Sequence, residues 1–193
     1  MRPAIFLDRD GTINFDYGWI TSPAKIDLLP GAGAAVRTIN DSGYLAVLVT
    51  NQPVIARGEC TEDQLAAIHW RLEELLSESQ SHLDAIYYCP HHPDGGARGE
   101  RPELKMLCHC RKPAPGLLEL AASELNINVA RSWMIGDSER DLGAAAAFGI
   151  PAVLVASNQR EFKNSIVSTP AFRARSLSEA VRTILTQPAS IAT

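Results

Sequence analysis

Five short apolar runs, separated by stretches with helical periodicity, constrain the fold of this chain more than any other feature. They cover residues 4–8 (AIFLD), 44–50 (YLAVLVT), 84–88 (DAIYY), 132–136 (SWMIG) and 151–155 (PAVLV). Continuous runs of this length, rich in Val, Ile and aromatics, read as strands buried on both faces. Helices are predicted between them. One spans 30–42 and stops at Gly43, which suits a left-handed cap. A second spans 61–80. There Thr61 and Gln64 have capping-box spacing, and Leu65, Ile68, Leu72, Leu75 and Leu76 form one stripe. A third opens near Pro115, a fourth spans 138–148 before Gly149, and a last spans 177–186. This alternation predicts an α/β fold: a Rossmann-like, doubly wound parallel sheet with a minimal cap. One domain is expected over 1–188, with 158–175 irregular and 189–193 a frayed tail.

The chain has 193 residues, 46% of them hydrophobic, which is enough for one core. Its formal net charge of −4 argues against a general nucleic-acid binder, which needs a basic surface to displace counterions. No run approaches the roughly 18 consecutive apolar residues of a membrane span. The opening MRPAIFLDRDG does not have the shape of a secretory signal. The expectation is a cytoplasmic monomer with no nucleic-acid or membrane partner.

FLDRDGTIN places Asp8 at the carboxyl end of the first strand and Asp10 two residues on. In doubly wound sheets that end borders the ligand crevice. Two carboxylates there repel one another unless something uses them, and a divalent cation such as Mg²⁺ would offset the cost. One Asp8 oxygen can then attack a phosphorus atom, while Asp10 protonates the leaving alcohol and later activates water. The competing reading is an ordinary Asx turn and helix cap. Thr50 and Asn51 end the second strand, where a hydroxyl suits a phosphoryl oxygen. Lys112, in RKPAPG, precedes a helix and suits an anion, although taken alone it reads as a solvated lysine. The fourth strand runs into GDSERD, with Asp137 at its tip and Asp141 four residues later. Asp137 would complete a metal site with Asp8. For Asp141 a helix-dipole contact is a sufficient explanation.

DRDGT at 8–12, Thr50, Lys112 and GDSERD at 136–141 resemble, in order and spacing, the haloacid dehalogenase superfamily of phosphotransferases. The resemblance implies that Asp8 is a nucleophile forming an aspartyl-phosphate and that Asp10 is the general acid/base. It implies that Thr50 and Lys112 stabilise the transferring phosphoryl group. Mg²⁺ would be held by the Asp8 and Asp137 carboxylates and the Asp10 carbonyl.

Three of the four cysteines and three of the five histidines fall in one segment. YYCPHHP and CHCRKP give Cys89-x-His91, sixteen intervening residues, then Cys108-x-Cys110. Three thiolates and one imidazole are a complete tetrahedral set for structural Zn²⁺. A metal would staple the Pro- and Gly-rich loop 89–110, which is too long to stand unsupported in a compact domain, and would fix Arg111 and Lys112 just after it. His92 and His109 are the alternatives to His91. Cys60 reads as a lone thiol.

With this loop, and with VTNQ, ARG at 56–58 and CRKP, the chain resembles the heptose bisphosphate phosphatases, which share the loop with histidinol-phosphate phosphatases. This implies removal of the 7-phosphate of D-glycero-D-manno-heptose 1,7-bisphosphate, in activated-heptose synthesis for surface polysaccharide. The implied substrate contacts are Arg9, Asp16, Trp19, Asn51, Gln52, Pro53 and Arg111. The family pattern NQSGIARG stands here as NQPVIARG, so Pro53 and Val54 stiffen the loop and remove a hydroxyl. The anomer preference, and with it the ADP or GDP pathway, is left open by that departure. Competing readings are another small phosphomonoesterase, such as one for histidinol phosphate, and a non-enzymatic zinc-stapled binding domain. A DNA 3′-phosphate substrate is disfavoured by the acidity and by the lack of an aromatic-basic patch.

Overall fold

A computed structural model of the chain describes residues 1–96, 98–156 and 168–187. Six parallel strands form one sheet in the order β3-β2-β1-β4-β5-β6. They are β1 (Ala4–Leu7), β2 (Leu45–Asn51), β3 (Ala85–Cys89), β4 (Trp133–Gly136), β5 (Ala152–Val155) and β6 (Phe172–Ala174). The five strands expected from the apolar runs are all present, and β1 has no solvent exposure at any of its four residues. Parallel strands need crossovers, and of the five helices described the first four supply them while the last follows β6. These are α1 (Ala32–Asp41), α2 (Glu62–Ser77), α3 (Gly116–Glu124), α4 (Glu139–Phe148) and α5 (Leu177–Thr186).

The sheet separates two cores, as the period-two geometry of a strand requires. Ile5 and Leu7 point to the face covered by α1, α2 and α5. Ala4 and Phe6 point to the face covered by α3 and α4. The helix ends follow local chemistry. Thr61 and Gln64 close a reciprocal capping box on α2. Gly149 ends α4 in the left-handed conformation at φ 86°.

β6 corrects the reading of 158–175 as irregular. It pairs with β5 through Val153–Phe172, Leu154–Arg173 and Val155–Ala174. It is three residues long, and only Ala174 is buried, so no apolar run announces it. Residues 157–167 and the expected tail at 189–193 lie outside the described residues. Helix α2 ends at Ser77, earlier than expected, and Gln80 turns the chain with φ 54°. Among the described residues, no helix is long and apolar enough to cross a membrane.

The order of the strands fixes where a ligand can sit. From β1 the chain winds through β2 and β3 to one side, then returns through β4, β5 and β6 to the other. The carboxyl end of β1 is therefore the topological switch point, flanked by the ends of β2 and β4.

Candidate active site and metal centres

A cleft of about 250 Å³ opens at that switch point. Asp8, Asp10, Thr50, Asn51, Gln52, Lys112, Asp137 and Asp141 line its floor and walls, with Asp16, Trp19, Pro53 and Arg140 also bordering it. Its size suits a small molecule rather than a polymer. The residues singled out from three separate strand ends and one loop thus meet in one place.

Lys112 is the hub. Its Nζ donates to Asp8 Oδ1 at 2.8 Å, to Asp141 Oδ1 at 2.6 Å and to the Val49 carbonyl at 2.7 Å. Its side chain is 2% exposed, so the solvated-lysine reading does not hold. Asn51 clamps the backbone of Lys112. Its amide donates to the Lys112 carbonyl at 2.9 Å, and its Oδ1 accepts from the Lys112 N–H at 3.0 Å. Burial pushes the Asp8 carboxyl up to about 6, Lys112 pulls it down, and the neighbouring Asp141 pushes it up again.

Asp10 faces the same cleft but is held differently. Arg9 grips it as a fork, Nε to Oδ1 at 3.0 Å and Nη2 to Oδ2 at 2.8 Å. Asn14 donates to Oδ1 at 2.9 Å and Gln52 to Oδ2 at 3.1 Å. Burial raises the Asp10 carboxyl, but the Arg9 fork and the two amides outweigh it and hold the group below its ordinary range. Gln52 also donates to the Thr50 hydroxyl at 2.9 Å, which orients it.

Two expected substrate contacts are not in the cleft lining. Arg9 has no solvent exposure and does not border the cleft, because its guanidinium is spent on Asp10 inside the protein. Arg111 is half-buried and donates to the His91 carbonyl at 3.1 Å, beside the cleft rather than in its lining. Trp19 does border the cleft, and Arg57 stacks on its ring with Cζ 3.4 Å from the centroid.

Sequence reasoning missed two residues here. Asp141 is fully buried. It caps α4, accepting from the Ser138 N–H at 3.1 Å and the Ser138 hydroxyl at 2.6 Å, and its other oxygen holds Lys112. Gly136 makes room for it, since a Cβ at 136 would collide with the Asp141 carboxyl group. Arg140 borders the cleft from the first turn of α4, exposed and with no carboxylate partner among the described residues. It lies within GDSERD, where nothing in the sequence distinguishes it from a solvated arginine.

Oxygen atoms of Asp8, Asp137 and Asp141 lie within 4.8 Å of one another. Carboxylates crowded this closely, one of them with a raised pKa, suit a hard divalent cation such as Mg²⁺. The expected set named Asp8, Asp10 and Asp137. The Asp10 carboxylate is turned to Arg9, which leaves its backbone carbonyl as the group in question.

A second set lies at the end of β3. Cys89, His91, Cys108 and Cys110 bring their donor atoms within 4.8 Å of one another. Sulfur–sulfur separations are 3.5, 3.2 and 3.4 Å, and His91 Nδ1 lies 3.3 Å from Cys110 Sγ. These approach the ~3.7 Å edge of a tetrahedron with metal–sulfur arms of ~2.3 Å. The donor set therefore fits Zn²⁺. His109 instead meets Glu119 at 2.6 Å and His92 faces Asp94 at 3.9 Å, whereas His91 is the histidine that lies among the thiols. Cys60 is buried in the core.

The comparisons agree with this geometry. The HAD-hydrolase-like family model matches residues 109–180. A D-glycero-β-D-manno-heptose-1,7-bisphosphate 7-phosphatase of Yersinia pestis is 45% identical over 148 residues, covering 77% of each chain. Its counterpart from Escherichia coli K12 is 43% identical over 148 residues, covering 77% of this chain and 75% of its own. The crystal structure of a D,D-heptose 1,7-bisphosphate phosphatase from B. bronchiseptica, complexed with magnesium and phosphate, superposes with a TM-score of 0.78 at 32% identity. It covers 95% of this chain and 98% of that one. With the fold, the cleft and these relatives in agreement, the chain belongs to the D-glycero-β-D-manno-heptose-1,7-bisphosphate 7-phosphatase family of HAD-like hydrolases.

Proposed function

We propose that this chain is a phosphoric monoester hydrolase that removes the 7-phosphate of D-glycero-β-D-manno-heptose 1,7-bisphosphate. Its place would be the synthesis of activated heptose for surface polysaccharide. The single observation that carries the chemistry is Asp8. Its carboxylate sits at the floor of the cleft, 2.8 Å from a sealed lysine, with Thr50 and Asp137 bordering the same space. The β anomer is favoured because the relatives at 43–45% identity are named for it.

In this reading Asp8 attacks phosphorus and becomes an aspartyl-phosphate. Lys112 and the Thr50 hydroxyl hold the equatorial phosphoryl oxygens. Asp10 gives its proton to the departing sugar oxygen, then takes one from the water that hydrolyses the intermediate. The Arg9 fork keeps Asp10 ionised in the resting site, which suits the second half of the reaction. The arriving phosphate dianion adds negative charge beside Asp10, raises its pKa and lets it take up a proton from solvent, which is the proton it passes to the leaving oxygen in the first half. Mg²⁺ held by Asp8, Asp137 and the Asp10 carbonyl would neutralise charge between nucleophile and phosphate. Zn²⁺ on Cys89, His91, Cys108 and Cys110 would fix loop 89–110, and the thiolates suit a reducing, cytoplasmic setting. Asp16, Trp19, Asn51, Gln52 and Pro53 would contact the sugar, and Arg111 and Arg140 would offer guanidinium groups to the second phosphate. Such a site needs neither a nucleic-acid partner nor a second copy of the chain.

Beryllium fluoride, a phosphate mimic, should form its adduct on Asp8. Asp8→Asn should lose adduct and turnover together. An adduct on any other residue overturns the mechanism. Phosphate release should be faster from the β than from the α anomer and slow from histidinol phosphate; the reverse order overturns the substrate assignment.

A further inference from the structure

We propose that His69, on helix α2 and sixty residues after Arg9 in the chain, is a positioning residue that fixes the general acid through Arg9. The inference rests on the reading of Asp10 as that acid. Among the described residues Arg9 is the largest wholly buried side chain. Its Nε and Nη2 are engaged by Asp10, which leaves Nη1 facing the interior. His69 Nε2 lies 3.4 Å from Nη1. A guanidinium only donates, so the imidazole must accept, and His69 is neutral with its proton on Nδ1. Burial and the Arg9 charge both favour that neutral form. The ring is 7% exposed and tilts against Tyr88 at a centroid distance of 6.0 Å, so it has little freedom to turn.

A buried guanidinium with an unmatched donor is costly, and it would rotate or admit water to satisfy that donor. Either response moves the fork and spreads the Asp10 carboxyl over several orientations. A general acid must meet the leaving oxygen within hydrogen-bond reach, and small displacements are expensive there. His69 thus sets the aim of a proton it never touches.

The test compares two leaving groups. A sugar phosphate leaves as a basic alkoxide and needs Asp10 to protonate it, whereas p-nitrophenyl phosphate leaves as a stable phenolate and does not. The quantity read is kcat/KM, which reports formation of the aspartyl-phosphate and not its later hydrolysis. His69→Leu should lower kcat/KM for the heptose bisphosphate roughly tenfold and leave p-nitrophenyl phosphate within about twofold. His69→Gln, whose carbonyl can accept from Arg9, should restore most of the loss. Equal falls on both substrates, or no fall on the sugar, overturn the proposal. Should His69→Leu fail to fold, His69→Met, which fills the same space without a strong acceptor for Arg9, carries the same comparison with the same two outcomes. Asp10→Asn separates the premise from the inference. If it shows no leaving-group discrimination, the acid assignment itself fails. If it discriminates and the His69 variants do not, only the positioning role fails.

Discussion

Lys112 Nζ and Asp141 Oδ1 are 2.6 Å apart, with side chains 2% and 1% exposed, and the same ammonium reaches Asp8 at 2.8 Å. One buried cation therefore joins the proposed nucleophile to the cap of α4. Burial lowers the Lys112 pKa, but its two carboxylates more than reverse this, so the ammonium stays charged and firmly protonated. The pair explains why Asp141 belongs to the site although it offers the cleft little surface. It holds the lysine that holds Asp8.

Removing Lys112 should damage stability as well as activity. Lys112→Met leaves Asp8 and Asp141 facing each other without a counter-charge. Breaking a buried pair from one side costs about 3–5 kcal/mol. Urea unfolding should show a loss of that order, together with loss of turnover. Lys112→Met combined with Asp141→Leu removes one of the stranded carboxylates and should recover part of the stability but none of the activity. A single variant as stable as the parent would mean the ion pair contributes nothing.

The strands and the carboxylates of the cleft were legible because each carries a local signal. Buried parallel strands must be apolar throughout, and a phosphoryl-transfer site at their ends must be polar, so VLVTN and FLDRD mark both the element and its edge. The cysteine–histidine pairs were legible for a similar reason, since a metal fixes ligand type and spacing. β6 was not, because an edge strand of three residues is made by pairing with β5 rather than by its own composition. Arg9 was misplaced for a related reason. A charged residue between two aspartates reads as surface, and only the packing of α2 over it shows that it is sealed. Asp141 looked like a dipole contact because its partner lies 29 positions earlier, a distance no local pattern spans.

Mg²⁺ should stabilise the protein, and more so above pH 6. Asp8 has its pKa raised from 3.8 to about 6. A group raised on folding binds more protons folded than unfolded, so its contribution is full below 3.8 and is lost as pH climbs to about 6. In the cation-free protein that loss amounts to ~3 kcal/mol. A divalent cation favours the ionised form and should cancel much of it. At a hundred times its Kd it contributes about 2.7 kcal/mol, or ~5–10 °C in Tm for a chain of this size. Melting curves at pH 5 and pH 7.5, with and without Mg²⁺, should show the larger shift at the higher pH. Equal shifts would place the cation away from Asp8.

Zinc removal should loosen one segment rather than the whole sheet. The four donors lie at the two ends of loop 89–110, and the loop touches the turn after β2 through the Arg101 N–H to the Ala56 carbonyl at 2.9 Å. Elemental analysis should find about one zinc per chain in the parent. Cys110→Ser should lose it. Hydrogen exchange should then accelerate across 89–112 and around 53–60, while β1 and β4 remain protected. Uniform acceleration would make the zinc essential to the fold, and no change would make the cluster a set of ordinary buried thiols.

Acid should destabilise the protein through His69. Burial and Arg9 lower its pKa from 6.5 to about 3. A group depressed on folding binds fewer protons folded than unfolded, so its contribution is complete above pH 6.5 and declines as pH falls toward 3. At pH 5 the unfolded chain would gain about 2 kcal/mol from protonating this one ring. His69→Gln removes that proton site while keeping an acceptor for Arg9. Denaturant midpoints measured from pH 7.5 to pH 5 should therefore fall less steeply in His69→Gln than in the parent, and the two curves should separate below about pH 6.5. Parallel curves would mean that His69 accepts a proton without cost where it lies, and that the imidazole is not the neutral acceptor the Arg9 contact requires.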